Sequence, residues 1–414
     1  MDFSFPIITL FVHFLLFFAL ACPVYSLEIS SHQLANQPFP SVQEIPKLKK
    51  TLTNRLRSIN KHVVKTIQSS HDDIIDCVMS HKQPAFDHPL LKGQKPLIPP
   101  VRPRGNNQKD ILSDNFQLWN LPDESCPIGT IPIRRTKKED ILRAKSLNMF
   151  GRKSNRFRRD AAEIGHVHSI GSVTGDRYHG AQATINVWAP HVENLDELSL
   201  AQMWIVSGTF GKDMNTIEAV QVVNRGLYGD NLPRLFIYWT ADGYNQTGCY
   251  DLLCPGFVQT NKKIAIGSAI SPTSTYNGGQ YEITLFIYKD PRNGNWWLEY
   301  GLGNPIGYWP SSLFTNLKDN ATNVQFGGEI VNTKSTGAYT STQMGSGHFA
   351  EEGYGKASYF RNMQVVGSDD ILMPLTNLQF TVEQPNCYNI QGRVDEKWGN
   401  HFYYGGPGRN MKCP

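Results

Sequence analysis

Charge is scarce in this chain. Only 18% of its 414 residues are Asp, Glu, Lys or Arg, and the formal net charge is +4. So small an imbalance leaves no electrostatic footprint for nucleic acid. Beyond the first 26 residues no apolar run is long enough to span a bilayer. There is no fixed-period repeat, no HExxH, no GxSxG and no Walker A motif, and no His or Cys neighbours supply the second pair of a zinc site. What the chain does have is Gly 35, Pro 25 and 11% aromatics, which suits a turn-rich, β-rich exported protein better than a helical cytosolic one.

Residues 1–26 read as a signal peptide. Pro6–Ala21 is almost wholly apolar, and Val24-Tyr25-Ser26 offers small residues for cleavage after Ser26. The expected location is therefore secreted: extracellular, cell wall or vacuole, with no membrane contact once the signal is gone. Of seven cysteines, Cys22 leaves with the signal. The remaining six read as disulfides in an exported chain. Six cysteines allow 15 pairings, and proximity suggests Cys77–Cys126, Cys249–Cys254 and Cys387–Cys413. Asn245-Gln246-Thr247 and Asn320-Ala321-Thr322 are glycosylation sequons.

Residues 27–40 are polar. Ile45, Leu48, Leu52, Leu56, Ile59, Val63 and Ile67 then recur at helical spacing, with Ser41 and Glu44 as a candidate capping box. A second box, Thr136 with Glu139, opens a short helix expected to reach Phe150. From Arg134 to Arg159 there are eleven Lys or Arg against two acids. Such a run is either a solvated linker or, between two differently composed halves, the place where a propeptide is cut.

From about residue 163 helical periodicity gives way to short β-branched and aromatic runs. The clearest are 183–188, 203–206, 235–239, 263–266, 281–288, 296–300, 324–330 and 359–366, with Asn293-Gly294 as a hairpin signal. The expected fold is mainly β: an antiparallel β-sandwich preceded by a smaller helix-containing domain. Within it, Thr216–Val223 sets Glu218 among apolar neighbours, with Glu218, Val220 and Val222 sharing a face by alternation. A carboxylate there is costly to bury unless paired, hydrogen-bonded or protonated. Glu282, Glu299 and Glu329 sit in similar runs, and spacing alone does not choose among the four. With six cysteines paired, no thiol remains as a nucleophile. His166 and His168 lie on one strand face, most simply a surface pair, and His348 sits in a Gly-rich loop. Two carboxylates held close share a proton, one acting as base for a water and the other as acid.

Long, unusual strings then carry a resemblance. They are Asp76-Cys77, KQPAFDHPLLK (82–92), CPIGTIPIRRTKKEDIL (126–142), TGCYDLLCPGFVQTN (247–261), GNWWL (294–298), SGHFAEEG (346–353) and YYGGPGRN (403–410). With them the chain resembles the plant neprosin family of glutamic peptidases over nearly all of its length after the signal. The resemblance implies a propeptide domain, here 27–159 with its basic linker, and a catalytic sandwich, 160–414. It implies an acid-active endopeptidase that needs no metal or other cofactor and prefers to cleave after proline. The partners it implies are a proline-containing protein or peptide substrate and the chain's own propeptide. The family's Ile-Glu-Ala and Gly-Gly-Glu motifs fall on Ile217-Glu218-Ala219 and Gly327-Gly328-Glu329, making Glu218 and Glu329 the implied catalytic pair. Tyr238, Trp239 and Trp297 are candidate aromatics for a proline pocket. Two departures bear on substrate preference and on activity. Val220-Gln221-Val222 stands where the family has Gly-Trp-Gln, and Phe326 where a Trp is common. The alternative they raise is a catalytically inactive sandwich that binds cell-wall glycan or protein. Inverting glycosidase chemistry is a third reading of the same carboxylates.

Overall fold

The structure is a computed structural model that describes residues 44–105, 117, 119, 125–144, 146–147, 149–153, 165–301, 303–334, 338–375 and 377–414. The expected signal peptide, Ser41 and Ser154–Asp160 of the basic run lie outside these. Residues 1–51 and 52–414 form separate compact units. Of the first, only the opening of helix α1 (Glu44–Ile59) is described.

In the second unit, Leu52, Leu56 and Ile59 of α1 keep the helical spacing and join one packed cluster. The helix does not continue through Val63 and Ile67, as the periodicity suggests. Asn60 stops it by exchanging two hydrogen bonds with the Thr136 backbone, at 2.8 and 3.0 Å. The β-branched Val63, Val64 and Ile67 then form strand β1 (Val63–Gln68). It pairs with β2 (Ile74–Met79), which pairs with β3 (Thr130–Arg134), and the Cys77–Cys126 disulfide braces this three-stranded sheet. Because Thr136 is engaged by Asn60, helix α2 (Lys138–Arg143) starts one residue later than expected: the Lys137 amide donates to Asp140 Oδ2 at 3.0 Å. The helix ends at Arg143, short of Phe150.

The remaining strands are β4 (Gly165–Tyr178), β5 (Gly180–Asn186), β6 (Ser199–Ser207), β7 (Asn215–Val223), β8 (Arg234–Thr240), β9 (Val258–Gln259), β10 (Glu282–Lys289) and β11 (Trp296–Tyr300). After them come β12 (Pro305–Trp309), β13 (Ala321–Asn332), β14 (Met344–Gly345), β15 (Ser358–Val366), β16 (Leu372–Pro374), β17 (Gln379–Val382), β18 (Asn389–Asp395) and β19 (Gly399–Gly406). One sheet has the order β17-β4-β13-β6-β7-β8. A ten-stranded sheet has the path β14-β19-β15-β5-β10-β11-β12-β9, with β16 and β18 at its side. The ladders are antiparallel. Ala183, Ile185 and Ile287 of one sheet and Met203, Ile217 and Ile237 of the other share a single core, so the two form a sandwich. The other disulfides are Cys249–Cys254 and Cys387–Cys413.

Both faces of β7 and β8 are buried along their whole length. One meets the second sheet. The other meets Leu52, Ile59, Ile141 and Phe150 of the N-terminal region. This double cover is why their sequences read as near-continuous apolar runs. A buried ion cluster joins the same two regions: Asp73 accepts from Arg134 Nε at 2.8 Å and from Arg234 Nη1 at 2.7 Å. Two local expectations fail. Residues 263–266 are not a strand, because glutamine side chains satisfy their backbone: Ala265 N donates to Gln117 Oε1, and Gln259 Nε2 donates to the Ile264 carbonyl. The β10–β11 hairpin turns over Asp290–Asn295 rather than over two residues, since Asp290 accepts from Arg292 N and Asn293 Nδ2.

Gly327 and Gly328 are constrained by close approach. A Cβ on Gly327 would lie 2.3 Å from the Ser169 carbonyl oxygen, and one on Gly328 would lie 2.7 Å from both Met344 Cγ and Tyr404 Cε2. Gly328→Ala should therefore overpack the core and cost about 1–3 kcal/mol. Chemical denaturation measures this, and unchanged stability would mean the contact is slack.

Candidate active site

Strand β6 runs between β13 and β7. Glu218 on β7 lies opposite Trp204, and Glu329 on β13 lies opposite Leu200, so the two flank Gln202 on the strand between them. Their side chains converge there. Gln202 Nε2 donates to Glu218 Oε2 at 3.1 Å and to Glu329 Oε2 at 3.4 Å. The amide orientation follows from chemistry, since its oxygen cannot face two carboxylates. Glu218 is 0% exposed and Glu329 2%.

The backbone beside Gln202 is unusual on both sides. Its two ladder neighbours, Val220 and Gly327, have φ values of 157° and 153°. For a β-branched residue this is a strained conformation. Val220 consequently leaves the alternation expected of it. It packs with Ile217 and Ala219 in the inner core, while Val222 lies in the outer cluster. With no side chain at 327 and that of 220 turned inward, the outer surface around Gln202 is left to the carboxylates. Phe326 also points inward, onto Phe360.

A third group completes the pair. Lys153, from the basic run, is buried with its Nζ 2.6 Å from Glu218 Oε2 and 3.7 Å from Glu329 Oε2. Its Nζ also lies 5.3 Å and 5.4 Å from the ring centroids of Tyr238 and Tyr244. Burial alone would lower the Lys153 pKa, but the two carboxylates overcome it and raise it well above the usual value. The remaining partners differ between the glutamates. Glu218 accepts from Tyr244 OH at 2.6 Å and Thr216 Oγ1 at 2.9 Å. Glu329 hydrogen-bonds to His166 Nδ1, and His168 Nε2 stands 3.9 Å from its other oxygen. Glu383 in turn accepts from His168 Nδ1 at 3.0 Å. Burial would raise the Glu329 pKa, yet Lys153, His166 and His168 together hold it far below the carboxylate range.

A cavity of about 350 Å³ adjoins the pair, lined among others by His168, Trp204, Phe210, Met214, Gln325 and Glu383. Of the aromatics proposed for a proline pocket, Tyr238 is at the site, where its hydroxyl accepts from the Lys153 amide at 3.2 Å. Trp239 packs on Phe314 in the core, and Trp297 packs at a tilt against Tyr308 in the other sheet. Glu282 is paired with Arg361 and Glu299 with Arg102, away from Gln202. His348 contacts Glu352 and the Tyr276 ring. Among the described residues no cluster of three His, Cys, Asp or Glu is arranged to hold a metal ion. Lys153, Gln202 and Tyr244 carried no signal in the sequence. His166 and His168 did, as a same-face pair, but their partner lies 161 or more residues away in the chain.

Comparison with known proteins gives two family matches. Residues 195–407 match the family described as Neprosin, and residues 66–178 match the one described as Neprosin activation peptide. Among solved structures, the chain is similar to Scytalido-glutamic peptidase with a peptide-based transition state analog, at 12% identity and a TM-score of 0.32, covering 60% of this chain and 100% of that one. A second structure of that peptidase, with a transition state analog inhibitor, matches at 13% identity and a TM-score of 0.34, covering 59% of this chain and 99% of that one. SCP-B, a member of the Eqolisin family of peptidases, in complex with the tripeptide Ala-Ile-His, matches at 10% identity and a TM-score of 0.33, covering 60% of this chain and 100% of that one.

Lys153→Met removes the cation and leaves two buried carboxylates facing each other. Breaking such a pair costs about 3–5 kcal/mol near neutral pH. Because the lysine depresses the Glu329 pKa, its contribution is full above the ordinary carboxylate value of about 4 and fades as pH falls through the depressed one. Urea unfolding should therefore separate wild type from variant most at about pH 7 and less at about pH 3, the gap closing only at still lower pH. An equal gap at both would contradict the ion pair.

Proposed function

The chain belongs to the neprosin family, whose matched region 195–407 spans half of it, and on that premise we propose that it is a secreted, acid-active glutamic endopeptidase cleaving after proline. In this reading residues 27–159 are the propeptide and 160–414 the catalytic sandwich, and Asn245 and Asn320 carry glycans. Asn245 is exposed, as a modified residue requires. One observation carries the reading: two buried glutamates on strands flanking β6, bridged by the Gln202 amide and capped by a cation from the N-terminal region.

Lys153 occupies the space between the carboxylates in which a water and a scissile carbonyl would sit, so the enzyme is latent while it stays. Cleavage in the basic run frees it. Glu329, surrounded by imidazoles, is the base. It takes a proton from the attacking water as the new C–O bond forms. Glu218 donates a proton to the carbonyl oxygen, and the Gln202 amide hydrogen-bonds to the oxygen as charge develops. When the intermediate collapses, the hydroxyl formed from the carbonyl returns its proton to Glu218 as C=O re-forms, the C–N bond breaks, and the proton on Glu329 passes to the leaving amine. The cavity beside Trp204, Phe210 and Met214 is apolar enough for a proline ring.

Cleavage of a proline-containing peptide at about pH 3 should be lost by a factor of about 10²–10⁴ in both Glu218→Gln and Glu329→Gln. Unchanged rates in either variant would sink the assignment. No activity in the wild type would favour the binding-only reading, for which the strained Val220 is the structural argument. Sequencing of the cleavage products checks the proline preference.

His166→Asn removes one imidazole charge from Glu329. The acid limb of the kcat/KM profile should then move up by about one pH unit or more. A simple drop in rate with the limb unmoved would assign His166 a packing role only.

A further inference from the structure

The N-terminal region touches the sandwich at a second place, on the ten-stranded sheet. Register puts Phe286 opposite Glu299, Tyr288 opposite Trp297, and Trp297 opposite Tyr308, so these five side chains share one face across β10, β11 and β12. Phe286 stacks on Tyr288 with ring centroids 4.7 Å apart, and Trp297 lies tilted against Tyr308 at 4.7 Å. Together they make two aromatic shelves with one carboxylate between them. Across this face runs Lys95–Gly105, which holds Pro96, Pro99, Pro100 and Pro103 and forms neither helix nor strand apart from a single bridge at Arg104.

The contact is made by a particular subset of that segment. Leu97, Ile98 and Val101 point away from the sheet, 41%, 88% and 79% exposed. Pro96, Pro100, Arg102 and Pro103 are the half-buried ones. The Leu97 amide donates to Tyr308 OH at 3.3 Å. Arg102 lies 5.3 Å over the Phe286 ring, with Nε 3.1 Å from Glu299 Oε2. The Glu299 side chain is only 2% exposed, and it also accepts from the Gly303 amide at 2.9 Å. The indole N–H of Trp297 is buried without a hydrogen-bond partner among the described residues. Aromatic shelves, a free indole donor and an acid for a basic residue are how extended proline-rich segments are recognised, since such segments lose little entropy on docking.

We infer that Phe286, Tyr288, Trp297, Glu299 and Tyr308 form a second binding site for a proline-rich segment carrying an arginine. Lys95–Arg104 fills it in this structure, and a stretch of proline-rich substrate fills it once that segment has left. The departure of Arg102 leaves a buried carboxylate without a counter-ion, so the vacant site demands a basic residue. The naming of the ligand as substrate, and the departure of Lys95–Arg104 with the propeptide, rest on the peptidase reading. The groove itself does not.

The test needs no catalysis. A labelled synthetic peptide with the sequence of Lys95–Arg104 is titrated against the full chain in a Glu329→Gln background, which prevents cleavage. Two further chains vacate the groove in cis: one carries Arg102→Glu, the other replaces 96–104 by a Gly/Ser linker of equal length. The peptide should bind each of these at least about tenfold tighter than the chain with its own segment in place. Adding Glu299→Gln, or replacing the peptide's first arginine by alanine, should each remove about tenfold. Peptide binding no tighter in either vacated chain, or binding indifferent to Glu299→Gln, would overturn the site. The peptide's proteolysis by the active chain is a separate measurement, so failure of the peptidase reading and failure of the groove are told apart.

Discussion

Two carboxylates stand side by side in a part of the sandwich closed to water, and the rest of the site is arranged to make that tolerable. An isolated buried charge costs far more than folding can supply, so each oxygen must find a donor or a cation. Glu218 finds two hydroxyls, Glu329 finds imidazoles, and both share the Gln202 amide and Lys153 Nζ. The backbone bends to the same end. Gly327 and Val220 take positive φ beside Gln202, at which only glycine is comfortable, and the surface between the glutamates stays open. The strain at Val220 is localised where chemistry is proposed, which is where folded proteins tend to keep it.

The partition of donors separates two otherwise identical side chains. The imidazoles of His166 and His168 stand against Glu329 and not against Glu218, which is why the proposed mechanism gives Glu329 the role of base. Around Glu218 stand two neutral hydroxyl donors and, 2.6 Å away, the Lys153 ammonium, so with that lysine gone only neutral donors would remain. A symmetric pair of glutamates would not specify direction. The asymmetry comes from β4, which brings His166 and His168 alongside β13.

Charge complementarity also organises the boundary between the N-terminal region and the sandwich. Lys153 meets Glu218 and Glu329, Asp73 meets Arg234, and Arg102 meets Glu299. At each point a charge supplied by the N-terminal side neutralises one buried in the sandwich. Separation therefore exposes or strands charges in three places at once, and the boundary responds to pH more steeply than an apolar interface would. Asp251, beneath Tyr228, adds to this, since burial pushes its pKa up to about 7.

The sequence alone determined the β-sandwich, through period-two runs broken by turns, and the membership of the chain in its family, through long strings around the cysteines and the two glutamate motifs. Those are local or cumulative properties, and local pattern survives in one dimension. It stopped short where distant segments compete for the same groups. Helix α1 ended early because Asn60 bonds Thr136, and residues 263–266 avoided a strand because Gln117 and Gln259 satisfy their backbone. Burial logic singled out four glutamates without ranking them. The two family motifs picked out Glu218 and Glu329, and the fold shows the physical difference: these two flank Gln202, whereas Glu282 and Glu299 are each held by an arginine. Lys153 is one positive charge among eleven in its run. Nothing along the chain distinguishes it from its neighbours, because what makes it special is the pair of carboxylates that the sandwich places around it.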